Sequence, residues 1–248
     1  MEETTYDHLC TGSLLLDSIR AFEFSMENNE VLVLLCPRAL TKCASQTTLL
    51  VLLETKIADD KKLTEELHFD MLIQSPTVGL SGGIVMIWKE DCVTVDEVST
   101  TPQGIHAMVK VLPSHTLWLF SAIYASTILA DRKLLWDSLV TISKSNTGNW
   151  FIGEEFNEVV KARDKFGGNP INLSRSNLFW NCLNECRLVD LGYKGSKYTW
   201  TNKRYKNRSS LILERIDRCF ANDCWISQYP DASVNHLPKT NSNHCLYK

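Results

Sequence analysis

Apolar residues fall in short runs separated by polar or glycine-containing breaks along most of this chain. After Asn29 the runs are Val31–Leu35, Leu49–Leu53, Ile84–Trp88, Val93–Val98, Ile105–Leu112 and Leu117–Tyr124. Runs this short, bounded by polar residues, fit strands better than helices. Within Gly104-Ile-His-Ala-Met-Val-Lys-Val-Leu112 the side chains alternate as a half-buried strand requires. Leu134, Leu135, Trp136, Leu139 and Ile142 then recur at helical spacing behind Asp131-Arg132-Lys133, which predicts a helix. A strand at Trp150–Ile152 follows, and a second helix is expected over Ser174–Cys186, with Leu178, Phe179, Cys182 and Leu183 facing the core. Tyr198–Asn202, Leu211–Ala221 and Ala232–Leu237 read as further strands, with a short helix at Asn222–Ser227 that stops before Pro230. Many strands with few helices predict two sheets packed together with helices outside. Gly82-Gly83 and Gly167-Gly168 mark turns, and no repeat or linker divides the chain. The residues before Asn29 lack clear periodicity, so 1–30 is expected to be an extension and 31–248 one domain.

The densest cluster of candidate chemistry is Trp150-Phe-Ile-Gly-Glu-Glu-Phe-Asn-Glu158. A buried strand running into a turn at Gly153 would present carboxylates and an amide at its carboxyl end, where α/β proteins build sites. Glu155 and Asn157, two apart on an extended segment, would point to the same side. A carboxylate beside a carboxamide suits a water activated near a phosphate. Alone, the stretch fits a solvated acidic turn as well.

Composition narrows the setting. With 248 residues, 44% hydrophobic, the chain can bury one large core. A formal net charge of −3 argues against a uniformly basic nucleic-acid coat. Charge is nevertheless uneven: Met1–Leu35 carries Glu2, Glu3, Asp7, Asp17, Glu23, Glu27 and Glu30 against Arg20 alone. Lys194–Arg208 carries Lys194, Lys197, Lys203, Arg204, Lys206 and Arg208 and no acid, so an anionic ligand should meet this second region. The nine cysteines include no Cys-x-x-Cys pair, which points to core thiols in a reducing compartment and to no disulfide-linked partner. No secretory signal or membrane-length run is visible, so an intracellular place, nucleus or cytoplasm, and no membrane partner are expected.

Several other residues carry candidate roles. Glu54 closes the run Leu49–Leu53, where a carboxylate can bind a hard cation such as Mg²⁺ or simply end a strand. Tyr124 closes the strand Trp118–Ile123, where its hydroxyl could donate to a phosphate oxygen or its ring could cover a sheet edge. His244 follows Ser242-Asn243 and has a possible partner in Asp217, which would fix its tautomer if the two strands pair. Tyr198, Trp200 and Tyr205 interleave with the bases of Lys194–Arg208, as in nucleic-acid surfaces, although a solvated hairpin with inward aromatics has the same pattern.

Taken together these segments resemble the endonuclease/exonuclease/phosphatase superfamily, and most of all the apurinic-type endonuclease domain of plant LINE-type (non-LTR) retroelements. The resemblance rests on LLETKI (52–57), GLSGGIVMIWK (79–89), QGIHAMV (103–109), FSAIYAS (120–126), RKLLWDSL (132–139), NWFIGEEFNEVV (149–160), DKFGG (164–168), LVDLGYKGSKYTWTN (188–202), ERIDRCFAN (214–222) and VNHLPKTNSNH (234–244). It implies a four-layer α/β sandwich, two mixed β-sheets packed face to face with helices outside. It also implies Mg²⁺-dependent (or Mn²⁺-dependent) hydrolysis of a DNA phosphodiester. Glu54 would hold the metal, Tyr124 would contact the scissile phosphate, Asn157 would place phosphate and water, and Asp217 would orient His244. Lys197, Lys203, Arg204, Lys206 and Arg208 would meet the nucleic acid.

Three positions depart from the family pattern. Glu155 and Asn243 stand where members carry Asp, and Leu35 aligns with a site Asn, the following Arg-Gly segment being absent. Glu155 extends the carboxylate by one methylene, and a misplacement of about 1 Å costs on the order of 100-fold in rate. Asn243 removes a charge, and Leu35 leaves former hydrogen-bond partners unsatisfied. The expectation is therefore an endonuclease with impaired turnover. The alternatives are an inactive nucleic-acid-binding copy or, with less support, a small-phosphoester phosphatase of the same superfamily.

Overall fold

A computed structural model of the chain describes residues 23–25, 48–55, 60–75 and 83–236. Val31–Leu35, Asn243 and His244 lie outside the described residues. In chain order come β1 (Glu23–Ser25), β2 (Leu49–Thr55), α1 (Asp60–Leu67), β3 (Met71–Gln74), β4 (Gly83–Trp88), β5 (Val93–Thr101), β6 (Gly104–Val111) and β7 (Leu117–Tyr124). Then follow α2 (Leu129–Ser145), β8 (Trp150–Glu155), a 3₁₀ turn at Ala162–Asp164, β9 (Lys165–Phe166), α3 (Leu173–Glu185), β10 (Val189–Asp190) and β11 (Lys194–Gly195). The last are β12 (Trp200–Thr201), β13 (Leu213–Glu214), β14 (Asp217–Ala221), α4 (Asp223–Gln228) and β15 (Ser233–His236).

The largest sheet has the order β10-β14-β8-β7-β6-β5. It is mixed, because α2 carries the chain back and lets β8 pair parallel with β7, while its other pairs are antiparallel. Period-two alternation gives this sheet two apolar faces. Ile105, Ala107, Trp118, Phe120, Ala122, Phe151, Cys219 and Ala221 meet the smaller sheet β2-β4-β3. Leu119, Ile123, Trp150, Ile152 and Phe220 meet Leu135, Trp136 and Leu139 of α2 and Phe179, Cys182 and Leu183 of α3. Leu49–Leu53 and Ile84–Ile87 are wholly buried, so β2 and β4 are covered on both faces, with Leu63 of α1 in the same cluster. The layers are thus helix, sheet, sheet, helix: the α/β sandwich that the sequence predicted.

Local chemistry explains the helix boundaries. The Asn172 side chain accepts from the Arg175 N–H at 3.1 Å and caps α3; Asn222 accepts from Trp225 N at 3.0 Å and caps α4. The second cap also accepts the Trp150 N–H at 3.1 Å, which ties α4 to the start of β8. Trp225 then stacks on Phe151, 5.1 Å between centroids. Among the described residues no helix is long and apolar enough to cross a membrane.

Several expectations need correction. The strand at Trp150–Ile152 does not turn at Gly153; it continues to Glu155, with Gly153 paired to Ala122 and Cys219. Leu178 does not face the core but is 38% exposed, and Leu134 on α2 is 68% exposed. Conversely, Arg132, in the polar group that opens α2, is buried. Leu211–Ala221 is not one strand: β13 and β14 are separated by Arg215 and Ile216, and Tyr198–Asn202 contributes only β12. α1 and β3 escaped the hydrophobic pattern because α1 holds few apolar residues and β3 is mostly half-exposed.

One polar cluster is sealed between β6, β7 and β8 on the helix-covered face. Ser121 Oγ accepts from Trp150 Nε1 at 2.9 Å and lies 2.8 Å from His106 Nδ1. Burial pulls the His106 imidazole down to about 4. Above pH 6.5 this histidine is neutral whether folded or unfolded and adds no pH dependence. Below that the unfolded chain takes up a proton that the folded chain refuses until pH 4, so stability falls across this window. Between pH 7.5 and pH 5, urea unfolding should show a loss of about 2 kcal/mol attributable to His106. The His106→Gln variant should lose correspondingly less, and an unchanged pH slope in that variant would refute the assignment.

Candidate functional site

The site is built on one rung of the large sheet. In register, Tyr124 at the end of β7 sits opposite Glu155 at the end of β8, and Glu155 sits opposite Asp217 at the start of β14. Directly paired residues point to the same face, about 5 Å apart from strand to strand. Tyr124 follows Trp118, Phe120 and Ala122 at period two, and Asp217 precedes Cys219 and Ala221, so the face is the one turned to the smaller sheet. Glu155 and Asp217 are buried and Tyr124 is half-buried. Two sequence candidates and the predicted carboxylate therefore do come together.

Asn157 reaches the same place by another route. It is not on an extended segment beside Glu155; its φ is +48°, just past the strand. Its Nδ2 donates to the Ala125 carbonyl at 2.7 Å, next to Tyr124, and Ala125 N donates to the Glu155 carbonyl at 2.8 Å. Phe156 anchors the turn from the opposite face, 5.1 Å from Phe179 and 5.2 Å from Phe220 between centroids. Phe156 N also donates to Ile216 O at 3.0 Å, so residues 155–157 are bound to both flanking strands. Glu54 has its backbone near the end of β2, at the register shift between Leu53 and Thr55. Its side chain, like all of Asn243, His244 and Leu35, lies outside the described residues.

The Cys219 thiol, two residues past Asp217 on the same face, is pushed well above its usual value by burial first and then by Glu154. Glu154 is itself buried and has φ of +112°, a backbone geometry that favours glycine.

Two ion-pair networks brace the rung, and the sequence pattern did not single them out. Glu158 Oε2 accepts from Arg132 Nη2 of α2 and Arg175 Nε of α3, both at 3.1 Å. The last carboxylate of the acidic stretch is thus a brace between helices. Arg215 makes a two-pronged contact with Asp190, at 2.8 and 3.0 Å; Arg218 donates to Asp190 at 2.6 Å and to Asp164 at 2.7 Å. Burial opposes ionisation of Asp190, but the two guanidinium groups outweigh it and hold its pKa below the usual carboxylate range. Arg215 also lies over the Tyr193 ring, which stacks on His236 at 4.5 Å. The available signal was Asp190 inside the apolar run Leu188–Leu191, since an acid in such a run needs a cation.

The segments DKFGG and ERIDR meet in the sheet β12-β13-β9. Lys165 pairs with Glu214 there. A Cβ at Gly167 would come within 1.9 Å of the Leu211 carbonyl, and its φ is +73°, so glycine alone fits. Between β12 and β13 the chain makes a loop over residues 202–212. Asn202 braces it, donating to Ser210 O at 2.7 Å and accepting from Ile212 N at 3.1 Å. Lys203, Arg204, Lys206 and Arg208 are all exposed on this loop, Tyr205 is 57% exposed, and Lys197 is exposed nearby, its Nζ 5.2 Å from the Tyr198 ring. Trp200 is half-buried.

No protein-family model matches the sequence, and no curated protein does. Solved structures do match in shape. The AP endonuclease LMAP from Leishmania major superposes with a TM-score of 0.59 at 11% identity, over 84% of this chain and 80% of that one. The chain has the endonuclease/exonuclease/phosphatase fold. The 3′ phosphatase NExo from Neisseria, bound to product DNA hairpin, shares this fold with a TM-score of 0.57 at 15% identity, over 84% and 89% of the two chains. The endonuclease domain of TRAS1, a telomere-specific non-LTR retrotransposon, gives 0.54 at 13% identity over 74% and 76%.

The strained backbone of Glu154, next to the rung, can be tested by substitution. Glu154→Gly should relieve the positive-φ cost, about 1–3 kcal/mol, partly offset by the about 0.5–1 kcal/mol entropy of a glycine. A net gain of about 1 kcal/mol in unfolding free energy is expected. A loss of stability would show that contacts of the Glu154 side chain outweigh the strain.

Proposed function

We propose that the chain is a DNA-directed phosphodiester hydrolase of the endonuclease type whose turnover is impaired. What supports this is chiefly the single rung that aligns Tyr124, Glu155 and Asp217 on one face at the end of three strands. A phenol, two carboxylates and the nearby Asn157 amide suit placement of a phosphodiester and its attacking water. Asp217 is the residue proposed to orient His244, which in turn would stabilise the charge of the transition state. Glu54 is the residue proposed to hold Mg²⁺ or Mn²⁺, whose oxygen-donor preference fits a carboxylate site. Among the described residues no group of three His, Cys, Asp or Glu could hold a metal, and the Glu54 side chain is not among them. Bound there, the ion would neutralise charge on the phosphoryl group.

The impairment is assigned to Glu155, Asn243 and Leu35, for the reasons of reach, charge and lost hydrogen bonding given above. A chain that binds nucleic acid without cutting it is the second reading, favoured by the exposed cations of the 202–212 loop. The neighbour that is a 3′ phosphatase also carries DNA, so a DNA substrate accords with more than one chemistry of this fold.

Plasmid nicking in Mg²⁺ tests the proposal. The native chain should nick slowly, and Glu155→Asp with Asn243→Asp should raise the rate at least about 100-fold. Vigorous native nicking that disappears in Glu54→Ala and His244→Ala would overturn the claim of impairment. Separately, reversing the charges of Lys203, Arg204 and Lys206 should weaken DNA binding and flatten its salt dependence by roughly 2–3 in log–log slope. Binding that survives these reversals would remove the loop from the DNA surface.

A further inference from the structure

Beside the rung, on the far side of Tyr124, the structure holds a pocket of ≈ 550 Å³ at the point where β7 gives way to α2. We infer that this pocket is a base-binding subsite, which takes a nucleobase with an exocyclic amino group from the strand whose phosphate lies at the rung. The inference rests on the nucleic-acid reading above and adds a place and a preference to it.

The volume is that of a small-molecule site. Its walls are apolar at Pro102, Ile128 and Leu134, and Ile128 and Leu134 are 61% and 68% exposed. Leaving two large aliphatic side chains in water beside a half-buried tyrosine favours a flat apolar ligand that covers them. Among the described residues the only charged side chain in the lining is Asp131, so a phosphate is repelled and a group rich in N–H donors is attracted.

The polar frame is already set. Gln103 Oε1 accepts from Ser126 N at 2.7 Å and its Nε2 donates to Asp131 O at 2.9 Å, so the β5–β6 turn is fixed to the start of α2. Ser126 Oγ donates to Asp131 Oδ2 at 2.9 Å and accepts from Ile128 N at 3.1 Å. An ionised carboxylate offers about four acceptor sites, and the Ser126 hydroxyl uses one of them. Among the described residues no other hydrogen bond reaches the Asp131 carboxylate, which leaves acceptor sites for a ligand. Cytosine and adenine carry an amino group that an Asp can accept from, whereas the thymine imino N–H is flanked by carbonyl oxygens that a carboxylate repels. Tyr124 belongs to both the rung and the pocket wall, so a nucleotide next to the bound phosphate is within reach.

Fluorescence anisotropy with labelled single-stranded oligo(dA), oligo(dC) and oligo(dT) decides the matter, using the full chain. Native protein should bind oligo(dA) and oligo(dC) at least about fivefold more tightly than oligo(dT). Asp131→Asn should erase that preference without weakening oligo(dT) binding. Ser138→Trp, which fills the pocket from α2, should weaken oligo(dA) and oligo(dC) binding about tenfold while thermal melting shows a folded chain. Tight but base-blind binding, or a preference unaltered in both folded variants, refutes the subsite and leaves the nucleic-acid reading standing. No binding of any oligonucleotide by the native protein refutes both.

Discussion

The hydrogen-bond register between β7, β8 and β14 decides where the candidate site residues sit. Side chains alternate along a strand, so a slip of one residue in either pairing would turn Tyr124, Glu155 or Asp217 to the opposite face. The register is enforced from both sides by burial. Phe151, Phe120 and Trp118 interlock with Trp225 on one face, and Trp136, Phe156, Phe179 and Phe220 interlock on the other. Moving a strand by one position would exchange these aromatic sets, at a cost of several buried rings of about 1.5–3 kcal/mol each. The site is as well placed as the core beneath it.

Charged braces then fix what apolar packing leaves free. Phe156 holds the chain after β8, but the direction of the next residues depends on Glu158, which two arginines from two helices grip. On the other flank, Arg215 and Arg218 share Asp190, and Arg218 also holds Asp164, so β10, β14 and the approach to β9 are joined by one network. Buried ion pairs of this kind add little net stability compared with apolar packing, because desolvation offsets attraction. Their contribution is geometric: they tie Asp217 and its neighbours to segments far away in sequence. This explains why DKFGG and ERIDR sit together, for one supplies the acid and the glycines and the other the arginines.

Legibility in the sequence followed the strength of local patterning. β7 was bounded at Leu117 and Tyr124 from its apolar run alone, and α3 fell within a residue of its expected limits. The Gly153 turn was misread because glycine is a turn signal in isolation, whereas here it lets Cys219 pack closely against a continuing strand. Leu178 was misassigned because helical spacing marks a stripe but not its width. Asn157 and Glu154 adopt positive φ, which no residue-type rule would assign to a glutamate, and which only the surrounding pairing can impose.

By itself the sequence determined the alternating strands and the sandwich class and singled out the candidate site residues, since these follow from hydrophobic period and from motifs read one segment at a time. The tertiary structure alone decided that Tyr124, Glu155 and Asp217 share one rung, that Asn157 reaches it through Ala125, and that Glu158 joins Arg132 of α2 to Arg175 of α3. The physical reason is separation along the chain. Strand pairing, aromatic interlocking and buried ion pairs join residues far apart in the numbering, from 17 positions for Glu158 and Arg175 to 107 for Trp118 and Trp225, and no local pattern encodes which distant partner each will meet.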